Sequence, residues 1–228
     1  WFNPLNQGLR TTAIADTDTH EYTNLNSAGA RTWTAASTDS PAAIDEQELG
    51  AAVKAGRAVG GQGVYVQTRL LATDGSGAVA DLTRTGSTLV RSENGGVSLE
   101  IRAQAPTWAP FDTIEIYANA PTTVAGTRNG TPVLYGATPE RVLHAGTDFT
   151  VQTVPVAPAV PGAERLEAQL QIAYSALPRD TWFVVVVKGT DGVSRPMFPV
   201  FPQSLATSGN GNLAGLLDGN LGEGGTLA

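Results

Sequence analysis

The chain contains no cysteine, which excludes disulfide bonds and thiol chemistry. That absence leaves the compartment open, because a disulfide-free domain of this size suits the cytosol or the bacterial exterior. Lysine is almost missing as well: Lys54 and Lys188 are the only two among fourteen basic residues, and the rest are arginine. We read that bias as the mark of a GC-rich genome and not as a phosphate-binding surface. Positive charge is short overall, with 21 acidic against 14 basic residues and a net charge of −7. Nucleic acid and anionic membranes need a positive surface, so neither is expected as a partner. Long apolar runs are absent too. The longest, Trp182 to Val187, has six residues, far short of a membrane span. The single methionine is Met197 and the first residue is Trp1, so the chain is expected to be a piece of something longer. Trp1-Phe2-Asn3-Pro4-Leu5 has neither the charged nor the apolar region of a signal peptide.

Familiar nucleotide and nucleophile motifs are also lacking. No serine elbow, P-loop or dinucleotide fingerprint occurs, and the Gly-rich runs 60–63 and 209–225 lack the lysine or strand-turn-helix context, so both read as loops. What is present is enough apolar material for a core, 41% of 228 residues, in one large or two small domains.

Residues 1–60 read as a small α/β piece. Leu9 to Ala15 has a strand-like composition and leads into Asp16-Thr17-Asp18-Thr19-His20. In an extended segment alternate side chains leave on one face, so Asp16, Asp18 and His20 would converge. Carboxylate with neutral imidazole suits zinc, manganese or iron, yet three ligands at most make half of a metal site. The plainer alternative is that Asp16 and Asp18 are strand-end or turn residues. Further on, Asp45 is placed to cap a helix over 46–55, with Glu48 completing a capping box and Ile44 and Leu49 a hydrophobic staple. Leu49, Ala52 and Val53 form its apolar stripe, and Gly56 supplies a left-handed end.

After Gly60-Gly61 the period changes to two. Val64 to Ala72, Val97 to Ala103, Ile114 to Ala118 and Leu166 to Tyr174 read as strands, and Trp182 to Val187, apolar on both faces, reads as a central strand. Asp74-Gly75, Asn94-Gly95-Gly96, Asn129-Gly130 and Asp191-Gly192 mark turns, the last a hairpin leading to Val193–Phe201. Pro155, Pro158 and Pro161 punctuate a loop. The fold expected is mainly β: an antiparallel β-sandwich over 61–203 after the α/β piece, followed by a Gly/Asn-rich tail, 204–228.

Trp1 to Gly8 (WFNPLNQG), the Asp16–His20 cluster, Gly29-Ala30-Arg31-Thr32-Trp33 and the helix ending Ala52-Val53-Lys54-Ala55-Gly56-Arg57 follow one another in a telling order. The series resembles the C-terminal part of PHP-type (polymerase and histidinol phosphatase-like) metallohydrolases, in particular the exported bacterial branch similar to CehA/McbA-like enzymes. Thr113 to Asn119 is similar to a phrase of the sandwich that follows the barrel there. The likeness is close over 1–70 and looser beyond.

The resemblance implies that 1–60 is the end of a PHP barrel, with Asp18 and His20 matching the final Asp-x-His metal motif and Asp16 orienting His20. It implies a phosphoester or other small-molecule substrate, divalent manganese, zinc or iron in the parent protein, and export to the periplasm or exterior. The opening His-x-His motif is absent from this chain, so the chain alone is expected to be inactive without its N-terminal barrel. Gly60-Gly61-Gln62-Gly63-Val64 stands where relatives tend to carry an Asn-Gly-Pro turn. Arg31 is a candidate clamp for an anionic substrate, against the alternative of a surface ion pair. His144 reads as structural or exposed. Trp108 and Trp182 are expected to pack in the sandwich, with a sugar-stacking platform as the other use. The rival from another class is a non-catalytic β-sandwich that binds a polymer or a partner protein.

Overall fold

A computed structural model describes residues 1–16, 30–61, 63–81, 88–120, 122–128, 131–156 and 162–189, with backbone only for 122–128 and 131–137. The elements in chain order are helix α1 (Phe2–Asn6), β1 (Arg31–Thr34), α2 (Glu46–Lys54), β2 (Ala58–Gly61), β3 (Tyr65–Ala72), β4 (Val79–Asp81), β5 (Val97–Pro106), β6 (Thr113–Ala118), β7 (Thr122–Arg128), β8 (Thr131–Ala137), β9 (Arg141–His144), β10 (Gln152–Pro155), β11 (Glu164–Tyr174) and β12 (Phe183–Lys188). A short 3-10 turn at Pro41–Ala43 precedes α2. The protein is mainly β, with 42% strand and 12% helix.

Every pair among the described strands is antiparallel. One sheet has five strands in the order β10-β11-β5-β3-β4 and another three, β12-β6-β9; β1-β2 and β7-β8 are separate ribbons. The core lies between the two larger sheets. Alternation in β5 turns Val97, Leu99, Ile101, Ala103 and Ala105 inward, and Val66, Ala168 and Ile172 join them from the neighbouring strands. Ile114 and Ile116, both 0% exposed, meet them from β6, with Phe183, Val185 and Val187 of β12 packed alongside. Each fully buried Leu or Ile contributes about 1.5–3 kcal/mol, so a few such pairs suffice to hold the sheets face to face.

Polar residues fill the outer face of the large sheet and pair across strands. Arg69 on β3 bonds Glu100 on β5 at 2.8 Å. Glu167 on β11 takes two bonds from Arg102, at 3.0 and 2.9 Å, and others from Gln104, Arg165 and Gln169. The Arg102 bonds and those of its other partners hold the Glu167 carboxyl down at about 2 against the opposing effect of burial. Turn chemistry also follows the sequence. Gly75 and Gly95 have φ of +84° and +71°, and the Asp74 carboxylate accepts from the Ser76 and Glu93 amides, which draw its pKa to about 2.

Helix α2 begins where expected and ends at Lys54, one residue short of the expected 46–55, and its start is built differently. Asp45 accepts from the Gln47 amide at 2.8 Å. Glu48 does not reach back to close a capping box; its carboxylate takes the Ser37 amide and hydroxyl instead, at 2.7 and 2.8 Å. Ile44 stays 41% exposed. At the other end Gly56 has φ +80°, and the bonds Gly56 N–H to Val53 and Arg57 N–H to Ala52 are the two of a Schellman closure.

Other expectations need correction. Leu9 to Ala15 belongs to no strand among the described residues: the Leu9 and Thr11 amides bond local carbonyls, and the Thr11 carbonyl and both groups of Ala15 are met by side chains. Gly60 and Gly61 are not loop but the end of β2. Pro155 closes strand β10, at a sheet edge among the described residues, where a missing amide costs no ladder bond. The strand at 182–187 is not central among the described residues: β12 pairs with β6 alone. Its outer face is met by α1 at the Trp182 end, while Val186 further along stays 37% exposed. Phe2 lies 5.0 Å from the Tyr117 ring and 5.1 Å from Trp182. Asn6 donates to the Ala120 carbonyl at 2.9 Å and accepts from the Trp182 indole at 3.0 Å. The N-terminal helix is thus bound to the outside of the small sheet. The Asp191-Gly192 hairpin, Pro158, Pro161 and the tail lie outside the described residues.

Candidate functional site

The segment leading to the Asp/His cluster is held at four points. The Trp1 indole donates to the Thr11 carbonyl at 2.8 Å, and the Thr12 hydroxyl donates to Val53 at the end of α2 at 2.7 Å. The Thr32 hydroxyl donates to the Ala15 carbonyl at 2.8 Å and accepts from the Ala15 amide at 2.9 Å. Opposite Thr32 in the β1–β2 ribbon, on the same face, stands Gly60, where a Cβ would come within 2.9 Å of the Ala15 Cβ. That glycine is required for the close approach of β2. Along this segment Leu9 and Ile14 remain 55% and 64% exposed.

Asp16 is exposed at the end of the segment. Asp18 and His20, the proposed ligands, lie outside the described residues. Arg31 is the first residue of β1, opposite Gly61. Asp16 and Arg31 are the chain neighbours of the bonded pair Ala15 and Thr32. Alternation along β1 turns the Arg31 side chain to the face opposite Thr32, toward Trp33. Among the described residues no group of three or more His, Asp and Glu is placed to hold a metal ion.

The Arg31 guanidinium lies over the Trp33 ring, 6.0 Å from its centre, and Trp33 meets Tyr65 edge-on at 5.5 Å. His144 is exposed at the end of β9; its amide donates to Asp148 at 2.8 Å. Trp108 does not pack in the sandwich. The turn closed by the Ala109 amide on the Pro106 carbonyl, 2.9 Å, puts Ala109 in the core at 0% exposure and leaves Trp108 at 51%. Trp182 packs outside the small sheet, against Phe2.

Thr32, Trp33 and Tyr65 were not singled out by sequence reasoning as functional residues. The one available signal was the glycine pair 60–61, which marks a close backbone approach. The two tyrosines pushed up to about 12 lie elsewhere: Tyr117 by burial and its bond to Glu115, and Tyr174 by burial and Glu140. No helix among the described residues is long and apolar enough to cross a membrane. No protein family, curated protein or solved structure matches the chain.

Proposed function

We propose that this chain is the C-terminal portion of a PHP-type metal-dependent hydrolase, acting on phosphoesters, with Asp18 and His20 as metal ligands. The observation that carries the reading is the closed base. Thr32 pins Ala15 by both backbone groups, so the segment holding Asp18 and His20 leaves and returns at one place. A rigid base lowers the cost of presenting ligands in a fixed geometry. Asp16 fits as the carboxylate that orients His20, and Arg31 as the clamp for a substrate anion. A divalent manganese, zinc or iron ion, when bound, would polarise the phosphoryl oxygen and supply hydroxide near neutral pH. Two protein ligands are too few for a catalytic ion, so the others would come from an N-terminal barrel with the His-x-His motif. In this proposal the parent is an exported bacterial protein, and the present chain is inactive alone.

A second reading, a non-catalytic sandwich that binds a polymer or partner protein, is favoured by one observation: Trp108 is 51% exposed beside the fully buried Ala109. Reading the coding sequence upstream of Trp1 separates the two. A His-x-His motif supports the hydrolase, and its absence, with no metal bound by the whole protein, removes that reading.

A further inference from the structure

We propose that the outer face of the five-stranded sheet binds an extended neutral polysaccharide, a β-1,4-linked chain being the representative. Such a face would serve an exported hydrolase and a non-catalytic module alike, and rests on neither reading. Five of the chain's nine glutamines, Gln67, Gln104, Gln152, Gln169 and Gln171, lie on β3, β5, β10 and β11. Alternation turns all five to this face, away from the buried Leu99, Ile101 and Ala168. The strand registers set them in a pattern. Gln67, Arg102 and Gln169 form one row across β3, β5 and β11, and Gln104, Glu167 and Gln152 form the next across β5, β11 and β10. In each row two glutamines flank one charged residue at two strand spacings, about 9.6 Å. That interval is close to the two-sugar repeat of an extended β-1,4-linked chain, so the two amides of a row would meet equivalent positions of a chain laid across the strands.

The charges among the glutamines cancel. Arg69, Arg102 and Arg165 meet Asp81, Glu100 and Glu167 on this face, with Arg102 and Glu167 at 2.9 Å and Arg69 and Glu100 at 2.8 Å. In a chain of net charge −7 the face is therefore neutral and gives an ionic polymer nothing to pair with. The amides are also positioned by protein bonds. Gln104 and Gln169 donate to Glu167 at 2.8 and 2.6 Å, and Gln171 donates to the Ser98 hydroxyl at 2.7 Å. A primary amide has two N–H groups and a carbonyl, so each keeps a donor and an acceptor for a sugar hydroxyl after that bond. Side chains fixed beforehand lose little freedom on binding. Gln152, Gln169 and Gln171 are exposed, and the Arg69 and Arg102 side chains are 41% and 39% exposed, so the face is reachable from solvent. A wet strand face needs only polar residues, and threonine suits strands better than glutamine. Solubility alone does not account for amides set in register.

Affinity electrophoresis of the chain in gels containing galactomannan or xyloglucan, both neutral with β-1,4-linked backbones, tests this against dextran, neutral but α-1,6-linked, and polygalacturonate, which is anionic. The face predicts retardation by a neutral β-1,4-linked polymer, unchanged by raised salt because no ion pair is made, and little or none by dextran or polygalacturonate. Gln67→Ala combined with Gln169→Ala should raise the Kd about tenfold, the effect of losing two hydrogen-bonding amides, whereas Gln47→Ala on α2 keeps all of the affinity. A thermal melt shows whether the double variant is folded. In the unaltered chain, the side-chain amide resonances of Gln67, Gln104 and Gln169 should shift saturably with mannohexaose or cellohexaose, which reads the same contact without a substitution. No retardation by either neutral β-1,4-linked polymer, retardation by polygalacturonate alone, an unchanged Kd in the folded double variant, or glutamine resonances that do not move overturns the proposal.

Discussion

Thr32 holds Ala15 by both of its backbone polar groups, accepting from the amide and donating to the carbonyl. One side chain thereby gives Ala15 the two bonds that a strand neighbour would otherwise supply. Replacing Thr32 by Ala leaves two part-buried backbone groups without that partner, at about 1–3 kcal/mol. Thermal melts should show that loss, while Thr32→Ser should recover most of it because the hydroxyl is what matters. If Thr32→Ala and wild type melt together, the base is not held as described.

Gly60 presses on the same residue from β2. In Gly60→Ala the new methyl would sit 2.9 Å from the Ala15 Cβ and 3.2 Å from its amide nitrogen, so backbone must move. Overpacking of this kind costs about 1–3 kcal/mol. Gly50 has nothing near a built Cβ and lies within α2, so Gly50→Ala should be neutral or stabilising. The pair of melts checks that the effect belongs to the contact and not to glycine loss in general.

Much of this fold can be read from the residue pattern, and the reasons for the rest are physical. The strict alternation of Val97 to Ala103 and Leu166 to Tyr174 predicts β5 and β11 because one face of each is buried and the other wet. Asp45 and Gly56 mark α2 because their local chemistry is decisive whatever surrounds them. Periodicity misleads at Trp182 to Val187 because an edge strand can also be apolar on both faces, here with a helix docked at the Trp182 end and Val186 left 37% exposed. Helix α1 is remote in the chain, with the Asn6–Trp182 bond spanning 176 positions, so no local signal announces its docking. Glu48 has the right spacing for a capping box, but Ser37 offers it two donors. At the candidate site, spacing pointed to Asp16, Asp18 and His20, whereas Thr32 and Trp33 become significant only through pairing.

Helix α1 should be part of the sandwich's stability. Phe2→Ala removes a ring packed against Tyr117 and Trp182, and truncations of packed aromatics cost about 3–5 kcal/mol when fully buried; partial burial of Phe2 places the expected loss below that range. Denaturant titration monitored by tryptophan emission would register it. A loss indistinguishable from zero would mean that α1 does not dock.

Acid stability should carry the signature of Glu167. Its folded pKa, about 2, lies below the ordinary 4.5. A depressed carboxyl adds stability above its unfolded pKa and loses it as pH falls through the folded one, so the window runs from about 4.5 down to about 2. Glu167→Gln should be less stable than wild type at pH 7, with the gap closing across that window. A gap that stays constant with pH would assign the effect to packing.

The central claim is that Asp18 and His20 are metal ligands of a hydrolase, and it is tested most directly in the full-length protein. Hydrolysis of a generic phosphodiester and monoester is measured with manganese or zinc, in wild type, Asp18→Ala and His20→Ala, alongside metal content and thermal melts. The account predicts metal-dependent turnover that both substitutions abolish together with metal binding, while Asp18→Ala leaves the melting temperature of the present chain nearly unchanged. Turnover that survives both substitutions, an inert and metal-free wild type, or a large loss of stability in Asp18→Ala would contradict it.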